Sequence, residues 1–491
     1  MDKIVETEKE KILIRNNIWD FSSLALVVFF PIAFLYFRNL TLVNPKEVLV
    51  TFLIFFSGGF FILLISRLFT ERISKVAFLL NVCMLAIMLF GPIETRLVRY
   101  LPFVFYWHLV YIFITLIVLL GLFVFMKLDD QTTGKINQVI AAIFGFLIFI
   151  NFSMAVPNLI KEVRKSKISN TPVLVEESKT ASSENVYVLI FDEYSGLDAL
   201  QRYTGYDNSS FYEQLVRLGF NVSPHSRNYT TNTNIEITNV LNLSMALNNQ
   251  NYSISARNEL LKEPALFSLF KQHDYFVNVI DDQTMIPVDA KGIDRLYVGQ
   301  SSLAKAETFQ LVMLKHSVFY PFFTAKEGER AQEIKALFEE IVNSSTLQDQ
   351  KLLTVGYFMF PHLPWVVDEN GNQISSTERD NWKNPNAYLG QLKYVSSRII
   401  EVVEGIIQKD PDAIIVLLSD HAYRLPAHLE RLYGQKVEDG ALEYDFQRNI
   451  LNAVYFKGQK LDIEGLSGVN TLIKVINTQF STEIPFVEPG N

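Results

Sequence analysis

The chain has 491 residues, of which 49% are hydrophobic and 13% aromatic, and this composition is too apolar for an ordinary soluble protein. Its formal net charge of -8 and the absence of blocks of like charge exclude a basic surface for nucleic acid and a polyanion-binding tail. The composition therefore indicates a membrane portion, with the bilayer as partner, joined to a globular portion.

The apolar excess lies in residues 1–160. Each of five stretches approaches the ~20 residues that cross a bilayer: 19–38, 47–69, 74–92, 103–127 and 136–157. We therefore predict a multi-span α-helical membrane domain of about five helices at 1–160 and a polar linker at 161–184. Lysine and arginine before the first stretch favour a cytoplasmic N-terminus, and an odd number of spans sends the C-terminal part outside. We expect a multi-pass protein of the plasma or inner membrane.

Beyond residue 184, short apolar runs alternate with amphipathic stretches. This pattern predicts an α/β domain at 185–491 with a mainly parallel sheet covered by helices on both faces. The only cysteine, Cys83, lies in a predicted span, so this domain forms no disulfide. The predicted strands are 185–191, 275–280, 352–359, 413–418 and 452–456, and the predicted helices lie near 208–218, 256–271, 328–343, 386–408 and 465–479.

Acidic residues follow two of these predicted strands. Asp192 comes directly after the first, and Asp420 and His421 follow the strand at 413–418. Ligands of open α/β sheets gather at the carboxyl ends of the strands, and two carboxylates with an imidazole suit zinc or manganese. A single aspartate in such a place more often caps the next helix. It is therefore the pairing of the two strand ends that indicates a metal site.

Between the first strand and the next helices lies the segment NYTTNTNIEITNVLN, residues 228–242. It places the hydroxyl of Thr233 where a helix is predicted to begin. Amide groups and the dipole at a helix start attract anions, so Thr233 could attack phosphorus there. The same local pattern fits a threonine that only caps the helix, and the local sequence leaves both interpretations open.

Taken in this order, Asp192, the Thr233 segment and Ser419-Asp420-His421 resemble the alkaline phosphatase superfamily. Within it, the chain resembles the membrane-anchored sulfatase-like phosphotransferases, such as lipoteichoic acid synthase and the lipid A phosphoethanolamine transferases. Members of that group have about five transmembrane helices followed by an extracytoplasmic sulfatase-like domain. The resemblance covers essentially the whole chain.

The resemblance implies a nucleophile and one bound divalent metal ion, zinc or manganese, with magnesium as a third candidate. Thr233 stands nine residues before Asn242, the interval found in relatives that read Thr-x-Leu-Ser-Leu-Ala-Ser-x-Leu-Asn, and is therefore the nucleophile; Thr231 is the fallback. The implied metal ligands are Asp192, Thr233, Asp420 and His421.

Further residues are expected to bind the phosphate of the substrate. Phe360-Pro-His362-Leu-Pro resembles the family's Pro-His-x-Pro-Phe segment, whose histidine helps to bind the transferred phosphate. Arg227 and Arg424 lie close in sequence to the two motifs, and guanidinium groups suit phosphate, although surface ion pairing is the alternative for each. Asp192 stands where the close transferases more often have Glu. The chain departs further from the family pattern at three positions, which are Tyr357 for a frequent His, Ala422 for Gly and Glu236 for a frequent Ser.

The function implied is metal-dependent transfer of a phospholipid-derived head group, phosphoglycerol or phosphoethanolamine, through a phosphothreonine to an envelope glycan or lipid. A phosphodiesterase or phosphatase of the same fold remains open. A sulfuric ester hydrolase is disfavoured because the sole cysteine is Cys83 and Ser223-Pro-His-Ser-Arg227 has the wrong spacing for a formylglycine signature. The three departures also leave open a catalytically silent scaffold of envelope assembly.

Overall fold

The computed structural model describes residues 2–40, 43, 45–100, 106–165, 183–282, 285–299, 309–319, 329–344, 350–374, 385–424 and 440–488. The chain divides into two compact units. The first comprises Met1–Arg164 and Glu307–Thr324, and the second comprises Lys165–Ala306 and Ala325–Asn491. The segment around residue 315 thus belongs to the membrane unit, although it lies within the range 185–491 predicted for the second domain.

Six helices form most of the first unit. Four contain stretches long and apolar enough to cross a membrane, among the residues described: Ile18–Arg38, Pro45–Ser66, Trp107–Lys127 and Asp130–Pro157. The helices are α1 (Asp2–Arg38), α2 (Pro45–Ser66), α3 (Ile73–Met88), α4 (Phe90–Tyr100), α5 (Tyr106–Lys127) and α6 (Asp130–Lys165).

The third predicted span, 74–92, is shorter than expected. Helix α3 has 16 residues and ends at Met88. Pro92 has no N–H to donate to the carbonyl of Met88, so the helix cannot continue through it, whereas a proline is tolerated in the first turn of α4. At the other end of the unit, α6 runs to Lys165, so the predicted linker 161–184 begins as helix. Residues 166–182 lie outside the described residues.

The second unit contains seven described strands in one sheet. They are β1 (Val186–Phe191), β2 (Phe220–Val222), β3 (Phe276–Asp281), β4 (Arg295–Val298), β5 (Leu352–Phe358), β6 (Ile414–Ser419) and β7 (Asn452–Phe456). The order is β2-β7-β6-β1-β5-β3-β4. Strand β1 pairs in parallel with β5 and β6, and β3 pairs in parallel with β4 and β5, whereas β7 is antiparallel to β2 and β6. The mainly parallel sheet is thereby confirmed.

Helices cover both faces of this sheet. Alternate residues of β1 enter different cores. Tyr187 and Leu189 pack with the helices Glu329–Ser344 and Pro385–Lys409, and Val188 and Ile190 pack with the helices Thr233–Asn242 and Gly468–Phe480. All six residues of β1 are buried, as expected for a central strand of a two-faced sheet. The helices are α7 (Leu197–Thr204), α8 (Ser209–Arg217), α9 (Thr233–Asn242), α10 (Ile254–Leu261), α11 (Ala265–Gln272), α12 (Phe309–Lys315, in the first unit), α13 (Glu329–Ser344), α14 (Pro385–Lys409), α15 (Gly440–Gln447) and α16 (Gly468–Phe480).

Candidate metal centre and nucleophile

The two predicted strand ends lie side by side. Strands β1 and β6 are parallel neighbours, and Ile190 pairs with Leu418. Both residues face the core that contains α9. Asp192 and Asp420 each follow two residues later, so the alternation of a strand places them level with each other on that same face.

The carboxylates of Asp192 and Asp420 meet the imidazole of His421. The three side chains are buried, and each offers one ligand atom within 4.8 Å of the others; this is the one such group in the part of the chain that the structure describes. His421 Nε2 lies 3.6 Å from Asp192 Oδ1 and 3.3 Å from Asp420 Oδ2. Three ligand atoms therefore converge on one small volume.

Neighbouring groups determine which atoms face that volume. Asp420 Oδ1 accepts the backbone N–H groups of Glu193 and His421, at 3.0 and 2.8 Å. His421 Nδ1 lies 2.9 Å from the carbonyl oxygen of Ala422, which can only accept, so Nδ1 carries the proton and Nε2 keeps its lone pair. Burial lowers the pKa of His421 to about 3, so the ring is neutral near pH 7.

One oxygen of each carboxylate has no hydrogen-bond donor among the residues that the structure describes. Asp192 Oδ1 and Asp420 Oδ2 are buried, and no hydrogen-bond partner is found for either among the described residues. Burial raises the pKa of Asp192, and the negative charge of Asp420 adds to this. Two buried carboxylate oxygens and an imidazole lone pair fit a divalent cation, because a cation would satisfy all three and relieve the repulsion between the carboxylates.

Thr233 is the first residue of α9, and its hydroxyl is turned toward this group. Its Oγ1 lies 3.1 Å from His421 Nε2, and the residue is half-buried. The helix is capped by Asn232, whose side chain accepts the N–H of Asn234 at 3.0 Å. Because Asn232 does the capping, the hydroxyl of Thr233 is not needed for it.

Arg424 connects the loop that precedes Thr233 with the loop that follows β1. Its Nη1 donates to the carbonyl oxygen of Thr231 at 3.1 Å, and its backbone N–H donates to Glu193 Oε1 at 3.2 Å. Thr231, the fallback nucleophile, therefore contributes its carbonyl to this contact. The structure brings Thr233, not Thr231, into hydrogen-bond distance of His421.

His362 lies at the same edge of the sheet. Its backbone N–H donates to the carbonyl oxygen of Asp192 at 3.2 Å, and its Nε2 is 3.9 Å from Glu193 Oε2. Nδ1 is 2.6 Å from the carbonyl of Leu363. Burial opposes protonation of His362, but the negative charges of Asp192 and Glu193 outweigh it and raise its pKa. A protonated ring presents Nε2–H toward the site.

Arg227 is not brought to this group. Its Nε donates to Asp445 at 2.8 Å, its Nη2 to Asp198 at 3.0 Å and its Nη1 to the carbonyl of His225 at 2.8 Å. These contacts match the surface ion pairing that was the alternative for this residue.

Two further buried acids lie close to this group. The sequence analysis did not identify Glu193, and it noted Glu236 only as a departure from the family pattern. Glu193 follows Asp192 in the left-handed region, with φ 63°, and its fully buried Oε2 has no hydrogen-bond partner among the described residues. Glu236 lies one turn after Thr233, and its Oε1 accepts the N–H of Thr230 at 2.6 Å. The Asp-Glu pair directly after a buried strand was the available signal for Glu193.

Comparison with known proteins bears on this domain. A family model described as Sulfatase matches residues 185–474, more than half of the chain. No curated protein matches the sequence significantly. Similar solved structures include the integral membrane lipooligosaccharide phosphoethanolamine transferase A of Neisseria meningitidis, with 14% identity over 91% of this chain and 88% of that one and a TM-score of 0.40.

Two other similar solved structures cover a smaller share of this chain. The C-terminal periplasmic domain of EcEptC from Escherichia coli, in complex with zinc, has 13% identity over 63% of this chain and 85% of that one, with a TM-score of 0.44. Lipoteichoic acid synthase LtaP from Listeria monocytogenes has 12% identity over 65% of this chain and 77% of that one, with a TM-score of 0.38. The family match is the finding that decides membership. The chain belongs to the sulfatase family.

Proposed function

We propose that the protein is a metal-dependent transferase of the membrane, which moves the phospho-head group of a phospholipid, phosphoglycerol or phosphoethanolamine, to an envelope glycan or lipid. Thr233 is the nucleophile. The observation that carries the proposal is the position of Thr233 Oγ1, at a helix start and 3.1 Å from His421 Nε2. Beside it lie two buried carboxylate oxygens for which no hydrogen-bond partner is found in the described part of the chain.

Asp192, Asp420, His421 and Thr233 would hold one divalent ion, zinc or manganese. Such an ion lowers the pKa of a bound hydroxyl and offsets charge on phosphoryl oxygens, which an unaided threonine cannot achieve. The buried carboxylates supply the negative charge that binds the ion, and neutral His421 supplies the nitrogen ligand.

Transfer proceeds in two displacements. Before the first, the hydroxyl proton of Thr233 would pass to water, since a bound cation lowers the pKa of that hydroxyl. In the first, the deprotonated Thr233 Oγ1 forms a bond to phosphorus and the bond from phosphorus to the diacylglycerol oxygen breaks. The leaving oxygen takes a proton from His362 Nε2–H, which lies at this edge of the sheet. In the second, an acceptor hydroxyl attacks the phosphothreonine, its proton returns to His362, and Thr233 is regenerated. Arg424 would stabilise the phosphoryl oxygens through its guanidinium group.

The test follows release of diacylglycerol. Purified protein is incubated with fluorescent phosphatidylglycerol or phosphatidylethanolamine, with and without chelator. We expect release that is abolished by Thr233→Ala and by chelation, and a phosphothreonine at residue 233 by mass spectrometry. Thr231→Ala is the matched control and should retain release. Equal release by Thr233→Ala and wild type would refute the assignment, and no release from any lipid by the wild type would favour the scaffold.

Hydrolysis is the second candidate within the same chemistry. Thr233 is only half-buried, so water could reach its phosphorylated form. Mass spectrometry of the product decides: a free phospho-head group indicates a phosphodiesterase, and a modified glycan or lipid indicates transfer.

We place the catalytic unit outside the cytoplasm. Asp20 in α1 accepts hydrogen bonds from Ser74 in α3 at 2.9 Å and from Asn137 in α6 at 2.7 Å. All three residues lie near the first turns of their apolar segments, which supports a parallel course for α1, α3 and α6. The chain would then leave α6 on the side opposite to the N-terminus, provided that α3 crosses as a short fifth span. Labelling of single cysteines introduced at residues 2 and 488, in a Cys83→Ser background, tests this placement, because only the latter should react in intact cells.

A further inference from the structure

Tyr357 makes a contact with the metal centre that the reaction above does not use. It lies in β5, where it pairs with Ile190 of β1 and is buried in the core on the side of α9. Its hydroxyl donates to Asp192 Oδ2 at 2.6 Å. A phenol carries a single O–H, so this donor is committed to the carboxylate.

The bond leaves Asp192 with one oxygen for another partner. Oδ2 is held by Tyr357, while Oδ1 faces His421 and has no hydrogen-bond partner in the described part of the chain. Asp420 is arranged in the same way, since two backbone N–H groups hold its Oδ1 and leave Oδ2 without a donor. Partners of this kind orient ligands and tune the affinity of metal sites.

We propose that Tyr357 is a positioning residue of the metal centre, which fixes the carboxylate of Asp192 so that Oδ1 is its single ligating atom. The inference rests on the metal-dependent function proposed above. Tyr357 touches neither the nucleophile nor the phosphate in this scheme and acts only through Asp192.

Burial alone does not explain why residue 357 carries a hydroxyl group. Tyr187, at the other end of β1, is equally buried, and its hydroxyl has no hydrogen-bond partner among the residues described. Phenylalanine would fill either position in the core. At residue 357, however, the hydroxyl forms a short bond to a carboxylate, the class of hydrogen bond that is about twice as strong as one between neutral groups.

The experiment measures zinc affinity of the full-length protein in detergent. Protein stripped by chelator is titrated with zinc against a chromophoric competitor, for wild type, Tyr357→Phe and the matched control Tyr187→Phe. We expect Tyr357→Phe to weaken zinc binding about 10- to 100-fold, as loss of an outer partner does in metal sites, and Tyr187→Phe to leave it unchanged. Diacylglycerol release by Tyr357→Phe should recover when zinc is raised in proportion.

The variant Asp192→Ala distinguishes failure of the positioning role of Tyr357 from failure of the metal site itself. If Asp192→Ala loses zinc and Tyr357→Phe binds it like wild type, the positioning role is wrong and the metal site stands. If Asp192→Ala also binds zinc like wild type, the metal site itself is wrong. Melting temperatures of Tyr357→Phe and Tyr187→Phe are also measured after removal of metal by chelator. An equal loss of zinc affinity in the two variants would assign the effect to removal of any buried hydroxyl and would overturn the inference.

Discussion

Asn228 offers a direct test of how the loop that precedes Thr233 is attached to the end of β6. Its buried Nδ2 donates to the carbonyl oxygens of Ser419 and Asp420 at 3.0 and 2.8 Å, and its Oδ1 accepts the N–H of Gly468 at 2.8 Å. Asn228→Ala removes three hydrogen bonds. At about 1 to 1.5 kcal/mol each, the free energy of unfolding should fall by roughly 3 to 4.5 kcal/mol.

At an unfolding entropy of about 2.1 cal/mol/K per residue, that loss corresponds to a melting temperature lower by roughly 5 to 7 °C for a domain of this size. Scanning fluorimetry of the purified variant in detergent measures it. Asn221→Ala is the control, because the longer bonds of Asn221 to the carbonyls of Val454 and Gln459 lie near the surface, at 3.5 and 3.3 Å, and should be worth about 1 kcal/mol or less. Equal shifts in the two variants would refute the reasoning.

Three further outcomes are expected. First, zinc should raise the melting temperature of wild type, because an ion that binds only the folded state stabilises it, and should not raise that of Asp420→Ala. Second, burial raises the pKa of Glu236 from 4.5 to about 8, so the folded state retains a proton that the unfolded state loses. The free energy of unfolding of wild type should therefore fall as pH rises from 4.5 to 8. Melting temperatures at pH 5 and pH 8 measure this fall, and Glu236→Gln should lack the part of it that comes from Glu236. Third, Arg424→Ala should reduce diacylglycerol release at least tenfold, whereas Arg227→Ala, whose guanidinium is engaged by Asp198 and Asp445, should stay within about twofold of wild type.

The central strands could be predicted to within two residues because they are continuous apolar runs, which is the pattern of strands buried on both faces. The short strands β2 and β4 could not, since they have three and four residues and both include half-buried positions. The single helix predicted at 256–271 is two helices in the structure. Pro264 lies at the N-cap of α11, where a proline stops a preceding helix, and this local signal was overlooked.

Residues of the candidate site could be predicted where a polar side chain directly follows a predicted strand or begins a predicted helix. Asp192, Asp420 and His421 met that condition and lie together in the structure. Thr233 was selected by the interval to Asn242 that the chain shares with the family it resembles. Contacts between distant parts of the chain were not predictable from local sequence. Asp198 and Asp445, the ion-pair partners of Arg227, lie 29 and 218 residues away in the sequence. The residues next to Arg227 therefore do not indicate either contact.

The strand register explains why Tyr357, Asp192 and Asp420 lie on one face of the sheet. Tyr357 lies level with Ile190, and Ile190 lies level with Leu418. A residue two positions beyond Ile190 or Leu418 therefore points toward α9, as Asp192 and Asp420 do. Because side chains alternate along a strand, a shift of β6 by a single residue relative to β1 would move Asp420 to the opposite face. The metal centre thus depends on apolar packing along the whole length of β1 and β6, and not only on the residues that would bind the ion.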